Sequence, residues 1–281
     1  MRKNSARLRA TLIWLTCLTC LSASLAGQRG TPPGPPPTPP LGGARGAASD
    51  SRTAKAGALV DLTGYWVSLV TEDWRWRMVT PIKGDSASVP INDAAKKIML
   101  EWDPSKDEAA GNQCKAYGAP AIMRVPGRLH ITWQDDNTLK IDTDAGTQTR
   151  MLHFGQPNPP AKFAASWQGY SSARWETGGS PVGGGFPLGL GPRQGVRSRS
   201  LEVVTTNLKP GYLRKNGVPY SAKTTVTEYF ERFSEPDGDD YLMVMTIVQD
   251  PEYLAIPFVV TSDFKKESDG AKWDPTPCSS R

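Results

Sequence analysis

The chain has 281 residues, with 33 Lys+Arg, 28 Asp+Glu, 2 His and 4 Cys, and a formal net charge of +5. Hydrophobic residues make up 38% of it, which is too many for a wholly disordered chain, and no apolar run reaches the roughly 20 residues of a membrane-spanning helix. So few His and Cys leave little for a nitrogen- and sulfur-ligated metal site, and we expect a folded chain without metal or cofactor.

Residues 1–26 have the pattern of a secretory signal peptide, because a basic start is followed by an apolar run at 12–21 and a small-x-small end at 24–26. Thr19 is a poor fit to the small residue expected before a lipidated cysteine, so free export is favoured over lipidation at Cys20. Removal of this segment takes away four positive charges and lowers the net charge from +5 to +1. We therefore expect a protein of the periplasm or the extracellular space.

Residues 27–57 are rich in Pro and Gly, with prolines concentrated at 31–40. Proline favours extended polyproline II, and the Gly and Ala portion has little to bury, so the segment is predicted to be a disordered stalk. This segment has a net charge of +3, which leaves a net charge of −2 for residues 58–281. A domain near neutrality has no broad positive field for phosphates, which excludes nucleic acid as a partner.

The cysteines divide between the signal segment and the folded part. Cys17 and Cys20 leave with the signal, so that Cys114 and Cys278 remain in an oxidising compartment. Two cysteines in such a place are predicted to form a disulfide that ties the C-terminal tail to the middle of the domain. The alternative, a redox or nucleophilic thiol, lacks a CxxC spacing and a neighbouring base.

From residue 61 onward, short alternating or apolar runs are separated by turn residues, which is typical of antiparallel all-β domains. One helix is predicted at 92–102, with Asn92 as its N-cap. The predicted strands are 63–70, 74–78, 121–125, 129–134, 138–143, 147–154, 166–176, 201–207, 224–234, 241–248 and 256–264. The absence of a composition break favours one domain at 58–281. A closed barrel of about ten strands leaves no free edges and is favoured over a two-sheet sandwich.

Residues 177–192 interrupt this pattern with many glycines and few residues that can pack. Two interpretations stay open for the segment. It is either a lid over a barrel mouth, touching through Phe186, Leu188 and Leu190, or a tolerated surface insertion.

Candidate binding residues lie in two polar and aromatic stretches, 167–176 and 227–233. Period two places Glu228 and Arg232 on the same face as Phe230. If this face points inward, the pair forms a polar spot that orients an anionic or carbonyl-bearing ligand, and if it points outward it is an ordinary salt bridge. The predicted ligand-binding residues are Trp167, Tyr170, Arg174, Glu228 and Arg232. The candidate apolar lining is Trp66, Trp74, Trp76, Trp133, Met243 and Met245.

Several segments together resemble an uncharacterised family of exported bacterial proteins with a lipocalin-like barrel. They are Cys114 with 120–124, Trp167-Gln168-Gly169-Tyr170-Ser171-Ser172-Ala173-Arg174-Trp175-Glu176, 201–206, 227–233, Asp250-Pro251 and Cys278. The resemblance covers roughly residues 61–278 and implies a lipocalin-like fold and the disulfide, but no activity. The chain departs from the family pattern at Tyr170, where the family has His, and in its Gly-rich insertion.

Three functions follow as hypotheses. The first is binding of a small, mostly apolar or amphiphilic ligand in the barrel cavity. The second is an enzyme on the same barrel, an isomerase, cyclase or hydrolase of a small carbonyl compound, with Glu228 or His130 as base and Tyr170 as its partner. His153, which also alternates with apolar residues, is a further candidate base. The third is an envelope interaction module with a filled barrel. A hollow interior favours the first two hypotheses and a packed interior the third.

Overall fold

The computed structural model describes residues 52–176 and 200–281. The predicted signal peptide, nearly all of the predicted stalk and the Gly-rich segment 177–192 lie outside the described residues. Within the described part, no helix has the length and apolar character needed to cross a membrane.

The described residues form a closed β-barrel of nine strands and a separate two-stranded hairpin. Around the barrel the order is β1-β11-β10-β9-β6-β5-β4-β3-β2, with β2 pairing back to β1. The strands are β1 (Gly64–Leu69), β2 (Arg128–Asp135), β3 (Thr138–Thr143), β4 (Gln148–Phe154), β5 (Tyr170–Trp175), β6 (Leu201–Thr206), β7 (Gly211–Tyr212), β8 (Pro219–Tyr220), β9 (Thr225–Ser234), β10 (Asp240–Gln249) and β11 (Phe258–Glu267). The predicted barrel is therefore confirmed, and β7 and β8 form the additional hairpin.

The prediction of a purely antiparallel sheet is wrong at one pair of strands. β4 and β5 run parallel, with Leu152 opposite Ser171. A parallel pair needs a long crossover rather than a tight turn, and residues 155–169 supply it. Prolines in this segment, such as Pro157 and Pro160, disfavour a hairpin that returns directly along β4.

Every strand alternates inward and outward residues. The inward side chains fill the interior of the barrel. Trp66 of β1 is fully buried, and its indole Nε1 donates to the carbonyl of Leu62 at 2.9 Å. One continuous core joins residues of all nine barrel strands and includes Ile131, Leu139, Ile141, Leu152, Leu201, Phe230, Leu242 and Phe264. The interior is thus packed with apolar side chains.

Four short α-helices and one 3-10 helix precede or cover the barrel in the described chain. They are α1 (Trp74–Arg77), α2 (Asp93–Glu101), α3 (Pro104–Ala109), the 3-10 helix Gln113–Tyr117 and α4 (Ala119–Ile122). The prediction of α2 is confirmed: the side chain of Asn92 accepts from the backbone N–H of Ala95, and Ala95 and Met99 are buried. The prediction of a single helix is wrong.

Two segments predicted as strands are single helical turns. In α4 all four side chains are buried and proline occupies the first turn, so its apolar run matches a buried strand as well as a buried helix. In α1 the alternation of Trp and Arg is too short to distinguish the period of 2 of a strand from the period of 3.6 of a helix. The helical turn buries Arg77 and leaves Trp74 and Met78 exposed.

One end of the barrel, where β2 and β4 begin, is covered by these helices and the β7–β8 hairpin. A second apolar cluster lies there, built from Ile91, Met99, Leu213, Val218, Tyr220, Leu254 and Phe258 among others. The predicted disulfide is confirmed at this end: Cys114 and Cys278 are bonded, with their Cα atoms 5.1 Å apart. It fixes the C-terminal tail beside the 3-10 helix.

The opposite end of the barrel is crossed by residues just before β1. The indole of Trp175 donates to the carbonyl of Ala54 at 3.0 Å, and the Ala54 N–H donates to Oδ1 of Asn137 at 2.9 Å. Beneath them the Phe154 ring contacts both Trp133 and Trp175, with centroids 5.6 Å apart in each pair. These contacts hold Ala54 against this end of the barrel.

Candidate functional site

The fully buried Glu228 lies inside the barrel and is held by Arg150 rather than by Arg232. Arg150 Nη1 donates to Glu228 Oε1 at 3.1 Å and Nη2 donates to Oε2 at 2.5 Å, and both side chains are fully buried. Nη2 also donates to the hydroxyl of Thr205, which shares a 2.7 Å hydrogen bond with Ser171. This network joins four adjacent strands and stands in a packed core, so its geometry is that of a structural ion pair.

Arg232 shares the face of Glu228, as period two predicts, but it lies at the end of the barrel. Its Nη1 donates to the carbonyl of Asp61 at 2.6 Å and its Nη2 to Asp240 Oδ2 at 2.7 Å. Both interpretations of this face assumed that Glu228 and Arg232 are partners, and the structure pairs them with different residues, Glu228 with Arg150 and Arg232 with Asp240.

The other three predicted ligand-binding residues lie outside the barrel wall. Arg174 is 72% exposed and pairs with Glu202. Tyr170 stacks on His153 beneath the crossover, and its hydroxyl donates to the carbonyl of Gln156 at 3.0 Å. Trp167 donates to the carbonyl of Pro210 at 3.1 Å, beside the β7–β8 hairpin. The structure does not bring these residues together with Glu228.

The weak catalytic candidates are also separated. The ring of His130 stacks on Tyr65 on the outer surface, with centroids 4.0 Å apart, whereas Glu228 faces the interior. Burial lowers the pKa of His130 and of His153 below the ordinary 6.5, and burial raises the pKa of Tyr170 above the ordinary 10.0. A general base needs its partner within hydrogen-bond reach, and the two faces of the barrel wall keep Glu228 apart from His130 and Tyr170.

The predicted apolar lining is also divided among different surfaces. Trp66 belongs to the core and Trp133 to the end crossed by Ala54. Met243 and Met245 lie on the outer face of β10, alternating with buried neighbours, and Trp74 is 64% exposed. Trp76 lines a cavity, but that cavity lies outside the barrel.

This cavity, of about 300 Å³, lies at the helix-covered end of the barrel. We call it the arginine pocket, because Arg77, Arg124, Arg214 and Lys215 are among the described residues that line it, and no carboxylate is. The lining also includes apolar or aromatic side chains, namely Trp76, Met78, Val79, Pro81, Ala116, Tyr117, Ala121, Val125, Pro126, Ala145 and Leu213. Such a combination of apolar walls and a few convergent polar groups is typical of ligand sites.

Arg77 holds the pocket together, and each of its three guanidinium nitrogens has a hydrogen-bond partner. It is 8% exposed, and its three guanidinium nitrogens donate to the carbonyl of Arg124 at 3.0 Å, to Glu72 at 2.8 Å and to the hydroxyl of Ser68 at 3.2 Å. Burial lowers the pKa of Arg77, and the Glu72 carboxylate opposes that shift. Arg77 therefore links α1, β1 and the segment after α4.

Arg124 and Arg214, in contrast, have donors without a partner. Arg124 Nη2 donates to Asp73 at 2.7 Å, and Arg214 Nη2 donates to the hydroxyl of Ser88 at 2.8 Å. Arg124 Nη1 and Arg214 Nε and Nη1 are buried with no hydrogen-bond partner in the described part of the chain. The two side chains are only 6% and 5% exposed. Unpartnered buried donors are costly, and a charged donor costs the most.

The arrangement of charge around Arg214 favours an anion. Burial and the nearby Arg124 charge lower the pKa of Arg214 to about 10, and Asp73 and Asp85 offset only part of this shift. The side chain is still charged at neutral pH, because this value lies well above 7. Its guanidinium lies 5.0 Å over the Trp76 ring. A stacked guanidinium presents its donor edges to a planar or tetrahedral oxyanion.

Sequence reasoning missed the three arginines of the pocket. Arg124 carries the one local signal, since it interrupts the apolar run 121–125 and a charge in such a run indicates either a partner or a site. Arg77 and Arg214 have no such signal. They come from segments 137 positions apart, and only the folding of the chain brings them to one cavity.

In the part of the chain that the structure describes, no group of three or more His, Cys, Asp or Glu side chains is placed to hold a metal ion. No family model, no curated protein and no solved structure matches the chain.

Proposed function

We propose that this protein is an exported barrel that binds a small anion-bearing organic molecule in the arginine pocket. The observation that carries the proposal is the set of unpartnered donors on Arg124 and Arg214, which are charged, buried and adjacent to a cavity without a lining carboxylate. A bound carboxylate, sulfate or phosphate supplies the missing acceptors. Export is supported by the pattern of residues 1–26 and by the disulfide.

The proposal places the ligand at the end of the barrel rather than inside a lipocalin-like cavity. Among the described residues, the core is packed and the charge of Arg150 is balanced by Glu228, which leaves no unpaired charge there for an anion. A filled barrel also agrees with an interaction module, but that hypothesis gives no reason for buried arginine donors to stay unpaired beside a cavity. Small-ligand binding accounts for both features.

Isothermal titration calorimetry with sulfate, phosphate, acetate and butyrate, at constant ionic strength, tests the proposal. We expect binding by the native chain and a loss of at least tenfold in affinity for Arg214→Met, since a charge-assisted hydrogen bond contributes about 1.5–3 kcal/mol. Arg174→Met is the matched control, because that arginine is exposed on the outer wall. The proposal is overturned if no anion binds, or if both variants lose the same affinity.

A further inference from the structure

The arginine pocket continues into an exposed apolar surface on one side. Met78 and Val79 line the pocket and are 61% and 65% exposed, and Ile82, four positions after Met78, is 77% exposed. We call residues 78–82 the apolar strap. Single exposed apolar side chains are normal in proteins, but a contiguous group beside a cavity marks a binding surface.

The apolar strap is held at both ends by buried polar contacts. Before it, Arg77 is fixed by Glu72 and by the carbonyl of Arg124. After it, the side-chain amide of Asn216 donates to the carbonyls of Ile82 at 2.9 Å and Asp85 at 2.8 Å, and Asn216 is fully buried. The buried side chain of Asn216 thus fixes the end of the strap at Ile82 and the turn after it at Asp85.

The strap also borders a second cavity. Thr80 and Pro81 line both the arginine pocket and a neighbouring open cavity of about 670 Å³, whose other lining residues are Trp102, Pro104 and the charged Lys83, Glu101, Asp103, Lys106 and Arg281. A ligand whose head is bound by Arg124 and Arg214 therefore has a path along Met78, Val79 and Pro81. Because Met78 and Val79 are largely exposed, this path is open to solvent on one side. It therefore suits a flexible alkyl chain that is only partly buried.

We propose that the ligand of the arginine pocket is an amphiphile, with one oxyanion head group and an alkyl chain that lies along the apolar strap. This inference rests on the proposed function and adds the class of ligand to it. The head is bound by the guanidinium donors of Arg124 and Arg214. The chain covers Met78 and Val79, which removes apolar surface of both partners from water.

A series of methyl, butyl and octyl sulfate, each below its micelle-forming concentration, tests the chain, with inorganic sulfate as the head group alone. A fully buried methylene contributes about fourfold in affinity, and for a half-open path we expect about twofold for each. Octyl sulfate should then bind about 100-fold more tightly than methyl sulfate. Calorimetry on the full chain measures both constants.

Two variants separate the inference from the function on which it rests. Met78→Ser with Val79→Ser should reduce the octyl-to-methyl ratio to about tenfold or less, and because both ligands are measured on the same variant, any change in head-group affinity cancels in this ratio. Val259→Ser is the matched control, since Val259 is 53% exposed on β11. Circular dichroism checks that the variants keep the fold.

Each outcome of the series decides one of the two proposals. Equal affinities for methyl and octyl sulfate overturn the amphiphile inference and leave the anion-binding function standing. Failure of every sulfate to bind overturns the function itself. Binding to phosphatidylglycerol vesicles without binding of monomeric octyl sulfate also overturns the inference, because it identifies the apolar strap as a membrane-contacting surface.

Discussion

Two groups of buried arginines differ in how their charge is balanced. Inside the barrel, Arg150 faces Glu228, and its two Nη atoms are bound by that carboxylate, with only Nε unpartnered. At the helix-covered end, Arg214 has no carboxylate in salt-bridge contact within the described chain, and both Nε and Nη1 are unpartnered. A neutralised buried charge serves the fold, whereas an unbalanced one beside a cavity keeps its binding capacity for a ligand.

The largest expected effect comes from unbalancing the interior pair. Glu228→Gln keeps the shape of the side chain but leaves Arg150 as an unpaired buried charge, so the free energy of unfolding should fall by about 3–5 kcal/mol. Urea unfolding followed by circular dichroism measures it. Replacing both partners, Arg150→Met with Glu228→Leu, should recover most of the loss. If Glu228→Gln alone is as stable as the native chain, the structural role of Glu228 is contradicted.

The disulfide should have the next largest effect, and it acts at the pocket end. Cys114→Ala with Cys278→Ala releases a constraint across 164 positions and should cost about 2–4 kcal/mol of unfolding free energy. Because the tail residue Thr276 lines the arginine pocket, sulfate affinity should fall as well. Thermal melts and calorimetry on the same samples test both effects, and unchanged sulfate affinity would show that the tail is not a necessary wall.

A paired substitution in the pocket should separate a structural arginine from a binding one. Arg77→Met leaves the partly buried Glu72 without its partner and should cost about 2–3 kcal/mol. Arg214→Met removes a desolvated charge with two unpaired donors, so stability should stay within about 1 kcal/mol of native or rise. Urea unfolding in sulfate-free buffer compares them. If Arg214→Met loses more unfolding free energy than Arg77→Met, then Arg214 is the structural arginine of the pocket.

The smallest effect concerns pH. Burial lowers the pKa of His130 and His153 below 6.5, so the unfolded chain binds more protons than the fold in this range. The free energy of unfolding should therefore fall slightly as pH drops below 6.5 and through the folded pKa values. His130→Gln with His153→Gln should flatten this slope in urea titrations at pH 5 to 7.5.

Sulfate affinity should stay constant over the same pH range, because no described residue lining the arginine pocket is a histidine or a carboxylate. Calorimetry at pH 5.5 and 7.5 gives the two dissociation constants. A change of more than about threefold would indicate that a titrating group outside the lining controls the site.

Much of the barrel was predictable because strand positions depend on local patterns. Alternation located β3 to the residue and β6 and β9 to within one residue, and an N-cap located α2. The predictions failed at α1 and α4, where four residues are too few to distinguish a period of 2 from one of 3.6. They also failed at the parallel pair β4–β5, since strand direction depends on where a crossover returns the chain.

The candidate site was less predictable for a different reason. Period two gave the correct face for Glu228 and Arg232, but it gave no information about which residue opposes each charge. Arg150, the partner of Glu228, is 78 positions away along the chain. Nothing in the sequence around Thr149, Arg150 and Met151 indicates that Arg150 faces the interior. Tertiary structure alone decides whether a charged side chain is neutralised.

The sequence by itself indicated a mostly β domain, favoured its closure into a barrel and predicted the disulfide between Cys114 and Cys278, because hydrophobic alternation and cysteine number are properties of the chain. Only the tertiary structure decided that the interior is packed and that Arg77, Arg124 and Arg214 meet at one end. Burial and charge balance depend on neighbours in space, and those neighbours come from segments far apart in the sequence.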